Sequence, residues 1–178
     1  MKRILFLFVA AGMTFLAGCE GPQGPPGMQG PQGPPGTGSG SAEVYEIFDI
    51  DFVNTQDGYV YYEQLNPQLL LEDSVLMYRL SGTINSQTPI WQLIPRTLYL
   101  QQGELDYDYD FSLEDFTIYA GGTYNLALTP SYINNQTFRI VIIPGYFSRT
   151  TSAVDFNDYD AVIKAYGLEG KPVQRLNK

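Results

Sequence analysis

The chain contains no histidine and a single cysteine among its 178 residues. Without histidine, the Ser-His-Asp and Cys-His arrangements that activate a catalytic nucleophile cannot be built. Histidine-ligated zinc and copper sites are excluded for the same reason, and one cysteine cannot supply a thiolate site by itself. We therefore expect no cofactor, and the catalysis still open to the chain is carboxylate chemistry.

Basic residues are also scarce. Ten lysines and arginines stand against nineteen aspartates and glutamates, which gives a formal net charge of −9 at pH 7. Such a chain would repel the phosphate backbone of a nucleic acid. The sequence also has no basic cluster and no Gly-rich phosphate loop. Nucleic acid is therefore excluded as a partner.

No hydrophobic run is long enough to span a bilayer. The run Ile4–Leu16 would reach roughly 20 Å as a helix, against about 30 Å of hydrocarbon. It follows two basic residues and precedes the small residues Ala17 and Gly18, which is the order found in a secretory signal peptide. The sequence thus predicts that residues 1–18 are a signal peptide and are cleaved.

The single cysteine ends the run Leu16-Ala17-Gly18-Cys19. This run resembles the lipobox of bacterial lipoproteins, in which the cysteine is acylated and the chain is cut just before it. The resemblance implies that Leu16, Ala17 and Gly18 direct cleavage and that lipid on Cys19 holds the chain to a membrane. Two or three acyl chains anchor a protein firmly. The alternative is a free or disulfide-bonded cysteine, but the chain offers no second cysteine as a partner.

The residue after the lipobox cysteine bears on location. In the lipoprotein family this position influences sorting between membranes, and Glu20 is not the aspartate that retains enteric lipoproteins in the inner membrane. The resemblance therefore implies a lipid-anchored protein of the bacterial cell envelope, at the outer membrane. Both leaflets of the outer membrane, the periplasmic and the surface one, are compatible with this sequence.

Glycine then recurs at every third position, and proline fills many of the places between. The repeat resembles bacterial collagen-like surface proteins, because only glycine fits at the axis of a collagen triple helix. One interpretation is a triple helix, and hence a homotrimer. The other is a polyproline II spacer that reaches roughly 55 Å at about 3.1 Å per residue. Residues 19–41 form the stalk and its flexible joint in either case, with repeat glycines Gly21, Gly24, Gly27, Gly30, Gly33 and Gly36.

Residues 42–178 are predicted to form an all-β head, an antiparallel β-sandwich or jelly roll with one short C-terminal helix. Apolar and polar residues alternate in Val44–Val53, which places Phe48, Ile50 and Phe52 on one face. Turn residues separate the predicted strands at intervals of roughly ten residues, as in a β-sandwich. Further strands are predicted at 59–64, 74–81, 90–94, 98–101, 106–111, 116–120, 123–128 and 137–143.

Two segments near the C-terminus stand out. The apolar run Phe138–Ile143 is typical of a strand buried on both faces. A helix is predicted within residues 154–170, with Asp155 or Asn157 as the N-cap and Gly167 at its end. The polar residues after this helix are expected to fray.

The densest acidic run is Glu104–Phe111. As a strand it places Asp106, Asp108 and Asp110 on one face, where they are a weak candidate for Ca²⁺. The spacing also resembles the start of an EF-hand loop, but Phe111 occupies the position of the turn glycine. We favour an ordinary amphipathic strand, and we predict no metal site.

Trp91 is the only tryptophan, and it lies between two prolines in PIWQLIP. Packing in the core or at a sheet edge is the favoured role. An exposed indole on a β-sandwich could instead stack against a sugar ring.

Two classes of function follow from the sequence. The leading hypothesis is a non-enzymatic envelope protein whose stalk displays the head. The head would then have a structural role or would adhere to or bind an unidentified protein or glycan. The alternative is a small glycan-binding surface lipoprotein. Cleavage of the glycan is the less favoured form of this alternative, since it needs two carboxylates facing each other across a cleft.

Overall fold

The computed structural model describes residues 40–56, 58–85, 87–147 and 153–176. The predicted signal peptide, Cys19 and the collagen-like glycines lie outside these ranges. Two short 3-10 helices, Leu126–Leu128 and Pro130–Tyr132, precede the ninth strand. The strands and the helix are β1 Glu43–Ile50, β2 Val53–Thr55, β3 Gly58–Gln64, β4 Ser74–Asn85, β5 Thr88–Ile94, β6 Arg96–Leu100, β7 Gly103–Phe111, β8 Asp115–Gly122, β9 Gln136–Ile143, α1 Tyr159–Ala165 and β10 Gln174–Arg175.

The strands form two five-stranded sheets. Sheet A has the order β10-β1-β9-β4-β5, and sheet B has the order β2-β3-β8-β7-β6. The strand pairs are antiparallel except for β1 with β10. The predicted all-β sandwich with one short helix is therefore confirmed.

Aromatic rings from both sheets meet in the main core. Phe138 of sheet A is fully buried, and its ring centroid lies 6.1 Å from those of Phe52 and Tyr107. Both contacts are edge-to-face, which is a favoured arrangement of aromatic pairs. The two sheets are thus held together by large side chains that alternate along their strands.

Strand β9 lies at the centre of sheet A, between β1 and β4. Phe138 and Ile140 point into the main core, whereas Val141 and Ile143 belong to a second apolar cluster on the outer face of the sheet. The prediction of a strand buried on both faces is confirmed. Helix α1 contributes Val162 to the second cluster and so forms a third layer over sheet A.

The alternation expected through Val44–Val53 is interrupted. Asp49 has a positive φ of 53°, and the pairing of β1 with β9 shifts register between Ile47 and Ile50. Such a bulge reverses which face the following residues take. Ile47, Ile50 and Phe52 therefore share the main core, and the prediction that Phe48 faces with Ile50 and Phe52 was wrong.

The predicted strand at 123–128 is also wrong. The segment ends in the 3-10 helix Leu126–Leu128, and the Asn125 side chain accepts a hydrogen bond from the amide of Ala127 at 3.1 Å. Asparagine competes for backbone donors in this way and favours turns over strands. Pro130 then begins the next 3-10 helix, since its fixed φ suits a first helical position.

The helix lies where the sequence predicts it, but its cap differs. Asp158, rather than Asp155 or Asn157, is the N-cap, and its carboxylate accepts a hydrogen bond from the Ala161 amide at 3.0 Å. Gly167 ends the helix with a φ of +64°, a conformation that favours glycine. The amide of Leu168 donates to the carbonyl of Ile163 at 2.8 Å, which completes a Schellman motif.

Gly122 and Gly121 on β8 offer a matched test of packing between strands. A Cβ at Gly122 would press directly against the carbonyl oxygen of Glu104 and lie 3.1 Å from the side chain of Leu126, whereas a Cβ at Gly121 would meet nothing within 4 Å. We expect Gly122→Ala to lower the free energy of unfolding by roughly 1 to 3 kcal/mol, as overpacking does. Gly121→Ala should leave it unchanged or slightly higher in urea unfolding, and equal effects of the two changes would contradict the packing described.

Candidate ligand-binding site

The acidic run singled out in the sequence forms strand β7. Leu105 and Tyr107 are buried, and the three aspartates alternate with them on the opposite side. The carboxylates have local partners: Asp108 accepts from the amide of Tyr109 at 2.8 Å, and Asp110 accepts from the hydroxyl of Tyr119 at 2.8 Å. Within the described residues there is no group of three or more potential metal ligands. β7 is thus an amphipathic strand in sheet B.

Trp91 lies on β5, the edge strand of sheet A, and is partly buried on the outer face. The guanidinium carbon of Arg139 lies 4.3 Å from the Trp91 ring centroid, within the range of a cation–π contact. The ring of Tyr159, from the first turn of α1, lies 5.8 Å from the indole. The structure therefore brings β5, β9 and α1 together at this residue.

Hydrogen bonds from Arg139 fix this cluster. Its Nε donates to Oε2 of Glu46 at 2.9 Å, and its Nη1 donates to the Tyr159 hydroxyl at 2.8 Å. Burial raises the pKa of Tyr159, and the neighbouring Arg139 cation acts in the opposite direction. Tyr78 adds an edge-to-face contact to the Tyr159 ring at 5.1 Å. The indole therefore packs against a preorganised wall rather than a mobile surface.

A cleft of about 490 Å³ opens beside this wall. We call it the Trp91 cleft; its lining includes Trp91, Tyr159, Asp155, Asp158 and Asp160. Hydrogen bonds from the backbone amide and the side chain of Asn157 lower the pKa of Asp155. The cleft combines an aromatic wall with carboxylate acceptors, a pairing that suits a neutral ligand rich in hydroxyl groups.

The sequence identified Trp91 but not the residues around it. Arg139 and Tyr159 reach the indole only through the register of sheet A and the docking of α1, and neither has a signature in the local sequence. The indole Nε1 is buried and has no hydrogen-bond partner among the described residues.

A second cleft, of about 430 Å³, was missed by the sequence analysis. Its lining includes Glu43, in β1, and Asp73, the residue before β4; strand β9 lies between β1 and β4. Glu43 accepts a hydrogen bond from the Tyr45 hydroxyl at 2.5 Å, and Asp73 accepts one from the Leu70 amide at 2.9 Å. Burial, followed by the Glu43 contact, raises the pKa of Tyr45 to about 12.

The fold and these clefts define the class of the molecule as an all-β sandwich with an added helix. No protein-family model, curated protein or solved structure matches the chain. In the described part of the chain, no helix is long and apolar enough to cross a membrane. The function must therefore be inferred from the residues of the chain itself.

Proposed function

We propose that the protein is a non-enzymatic, lipid-anchored component of the bacterial envelope, which displays a β-sandwich head on a collagen-like stalk. The order of the sequence supports this proposal most directly, because Cys19 and the glycine repeat precede the first strand, which begins at Glu43. In the described residues, both apolar clusters are built from Ala42 onward.

Replacing the lipobox cysteine tests the anchor. We expect Cys19→Ser to abolish incorporation of labelled palmitate and to move the protein out of the lipid-modified membrane fraction, because serine lacks the thiol that is acylated. As a control, the double variant Cys19→Ser with Ser41→Cys restores a thiol outside the lipobox and should stay unlabelled. Labelling of the Cys19→Ser protein equal to that of the natural sequence would contradict lipidation at this position.

Ligand binding by the Trp91 cleft is a second candidate function, favoured by the aromatic wall beside several acidic side chains. Because the rim is acidic, neutral glycans fit it better than anionic ones. Stacking of a sugar ring on the indole would supply the apolar part of the contact, and carboxylates would accept hydrogen bonds from its hydroxyls. No catalytic step is implied by this arrangement.

The only tryptophan gives this candidate a direct reporter. We expect neutral oligosaccharides such as cellohexaose, maltohexaose and chitohexaose to include one that changes the fluorescence of Trp91 in a saturable way. Calorimetry should then show at least about ten-fold weaker binding for Trp91→Ala. Tyr62→Ala removes an aromatic side chain that is 58% exposed elsewhere and should bind normally. No response to any glycan, or equal losses in the two variants, would contradict the assignment.

A further inference from the structure

Arg79 is a buried cation that has no carboxylate within 4.0 Å among the residues that the structure describes. Its side chain belongs to a residue only 7% exposed, on the inner side of β4. Among the described residues, Arg139 and Glu46 form an ion pair within 4.0 Å, and Arg79 has no carboxylate within that distance. A guanidinium keeps its charge in proteins, and burial of a charge is unfavourable unless an opposite charge compensates it. In a chain with a net charge of −9, the lack of an acid here is unexpected.

Neighbouring groups hold the Arg79 guanidinium in one orientation. Its Nε donates to Oε1 of Gln136 at 2.9 Å. The Gln136 amide nitrogen in turn donates to the carbonyls of Ser131 and Asn134 at 2.8 and 2.7 Å, which fixes Oε1 toward the arginine. The guanidinium carbon lies 4.7 Å from the ring centroid of Tyr107. These contacts preorganise the cation.

The guanidinium lies at a cleft of about 380 Å³ between the edge strands β5 and β6. We call it the Arg79 cleft; its lining includes Arg79, Arg96, Ser81, Gln92 and Tyr132. Arg96 is directly opposite Tyr107 in the pairing of β6 with β7, and opposite residues place their side chains on the same face. Arg96 is therefore the cross-strand neighbour of Tyr107, and Arg79 packs over the Tyr107 ring.

This chemistry differs from that of the Trp91 cleft. Among the described residues, the lining of the Arg79 cleft has two cations and no acidic residue, whereas aspartates line the Trp91 cleft. The two Nη groups of a guanidinium match the two oxygens of a planar carboxylate. The Tyr132 ring provides an apolar wall, and Ser81 and Gln92 offer groups that can bind hydroxyls.

We propose that the Arg79 cleft binds the carboxylate of an acidic sugar, with hexuronate as the simplest form. Arg79 binds the carboxylate, Arg96 adds a second positive charge at the rim, and the polar lining residues contact the ring hydroxyls. The ligand supplies the negative charge that the fold does not provide to Arg79.

Calorimetric titration of the full-length protein in a nonionic detergent tests this site, with sodium glucuronate as the probe and glucose as its neutral counterpart. We expect saturable binding of glucuronate and none of glucose. Arg79→Lys keeps the charge but loses the planar pair of donors, and should weaken binding at least about ten-fold. Arg96→Gln should weaken it about three-fold or more. Because Arg96 is exposed, this variant keeps the test valid if Arg79→Lys does not fold.

A matched control separates binding at the Arg79 cleft from a general effect of positive charge. Arg175→Gln removes one charge from an exposed arginine that lies over the Phe48 ring and should bind glucuronate normally. The proposal is overturned by no binding of glucuronate, by equal binding of glucose, by equal affinity for acetate or sulfate, or by an equal loss in Arg175→Gln.

Discussion

Raising the pH above about 10 is expected to unfold the head cooperatively, because the hydroxyl groups of several buried tyrosines must then ionise. Six buried or partly buried tyrosines have a raised pKa, and burial is the largest cause in each. In three of them the hydroxyl donates to a backbone carbonyl: Tyr78 to Phe156, Tyr107 to Tyr132 and Tyr109 to Val75. The set consists of Tyr45, Tyr61, Tyr78, Tyr107, Tyr109 and Tyr159.

The direction of this effect follows from proton binding. At neutral pH these tyrosines are protonated in both the folded and the unfolded chain, so their contribution to stability is fully present. Above about pH 10 the unfolded chain loses protons that the folded chain retains, and the free energy of unfolding falls as the pH rises. Tyr45, for example, has its pKa raised to about 12 in the fold. An ionised hydroxyl could no longer donate to the carbonyls named above.

Tyrosinate absorbance, followed together with circular dichroism, measures this transition. Tyr99, which is 80% exposed, is the control position because its hydroxyl does not belong to the buried set. The buried set should ionise only as the circular dichroism of the sheets disappears. Tyr99→Phe should leave the midpoint of unfolding unchanged. A single titration step for all fourteen tyrosines, with the sheets intact, would show that the hydroxyls are not buried as described.

Truncation of Phe138 should be the most damaging single change in the core. Its side chain is fully buried and packs against the rings of both Phe52 and Tyr107, where the two sheets meet. We expect Phe138→Ala to lower the free energy of unfolding by roughly 3 to 5 kcal/mol, because the lost contacts leave a cavity that rigid neighbouring strands cannot close. Urea unfolding should show a lower midpoint with an unchanged slope.

Leu71→Ala is the control for Phe138→Ala. Leu71 is 86% exposed, so its truncation should change the free energy of unfolding by less than about 0.5 kcal/mol. If both variants unfold at the midpoint of the natural protein, the packing of the two sheets on Phe138 is incorrect.

Strands with a strong periodic pattern could be predicted from the sequence. The alternation in β7 and the apolar run in β9 report burial directly, because side chains take opposite faces in turn. The bulge at Asp49 could not be predicted in this way. It depends on pairing with β9, and a single added residue exchanges the two faces without changing the composition of the strand.

Short segments were harder to predict, because their conformation depends on distant partners. The C-terminal residues were expected to fray, but Gln174 and Arg175 pair with β1, and the Leu176 amide donates to the Glu46 carbonyl at 3.2 Å. Their sequence contains no strand pattern. The available edge of β1 determines the pairing, and that edge exists only once sheet A has formed.

In the candidate sites, too, single residues could be identified from the sequence, but their contacts could not. Trp91 was identified because an indole is unusual in any sequence, but its contacts with Arg139 and Tyr159 arise from tertiary packing. Arg79 was not identified at all. The local sequence alternates polar and apolar residues there and gives no sign of a site. The contacts of Arg79 with Gln136 and Tyr107 arise only when β4, β7 and β9 are assembled.

The most direct test of lipid anchoring is mass spectrometry of the N-terminal peptide of the mature protein, extracted from membranes of the cells that make it. The proposed function predicts a peptide that begins at Cys19 and carries acyl groups on its sulfur and its amino group. A mature chain that begins at another residue, or one in which Cys19 carries no lipid, would contradict the proposal that the head is displayed from a lipid anchor.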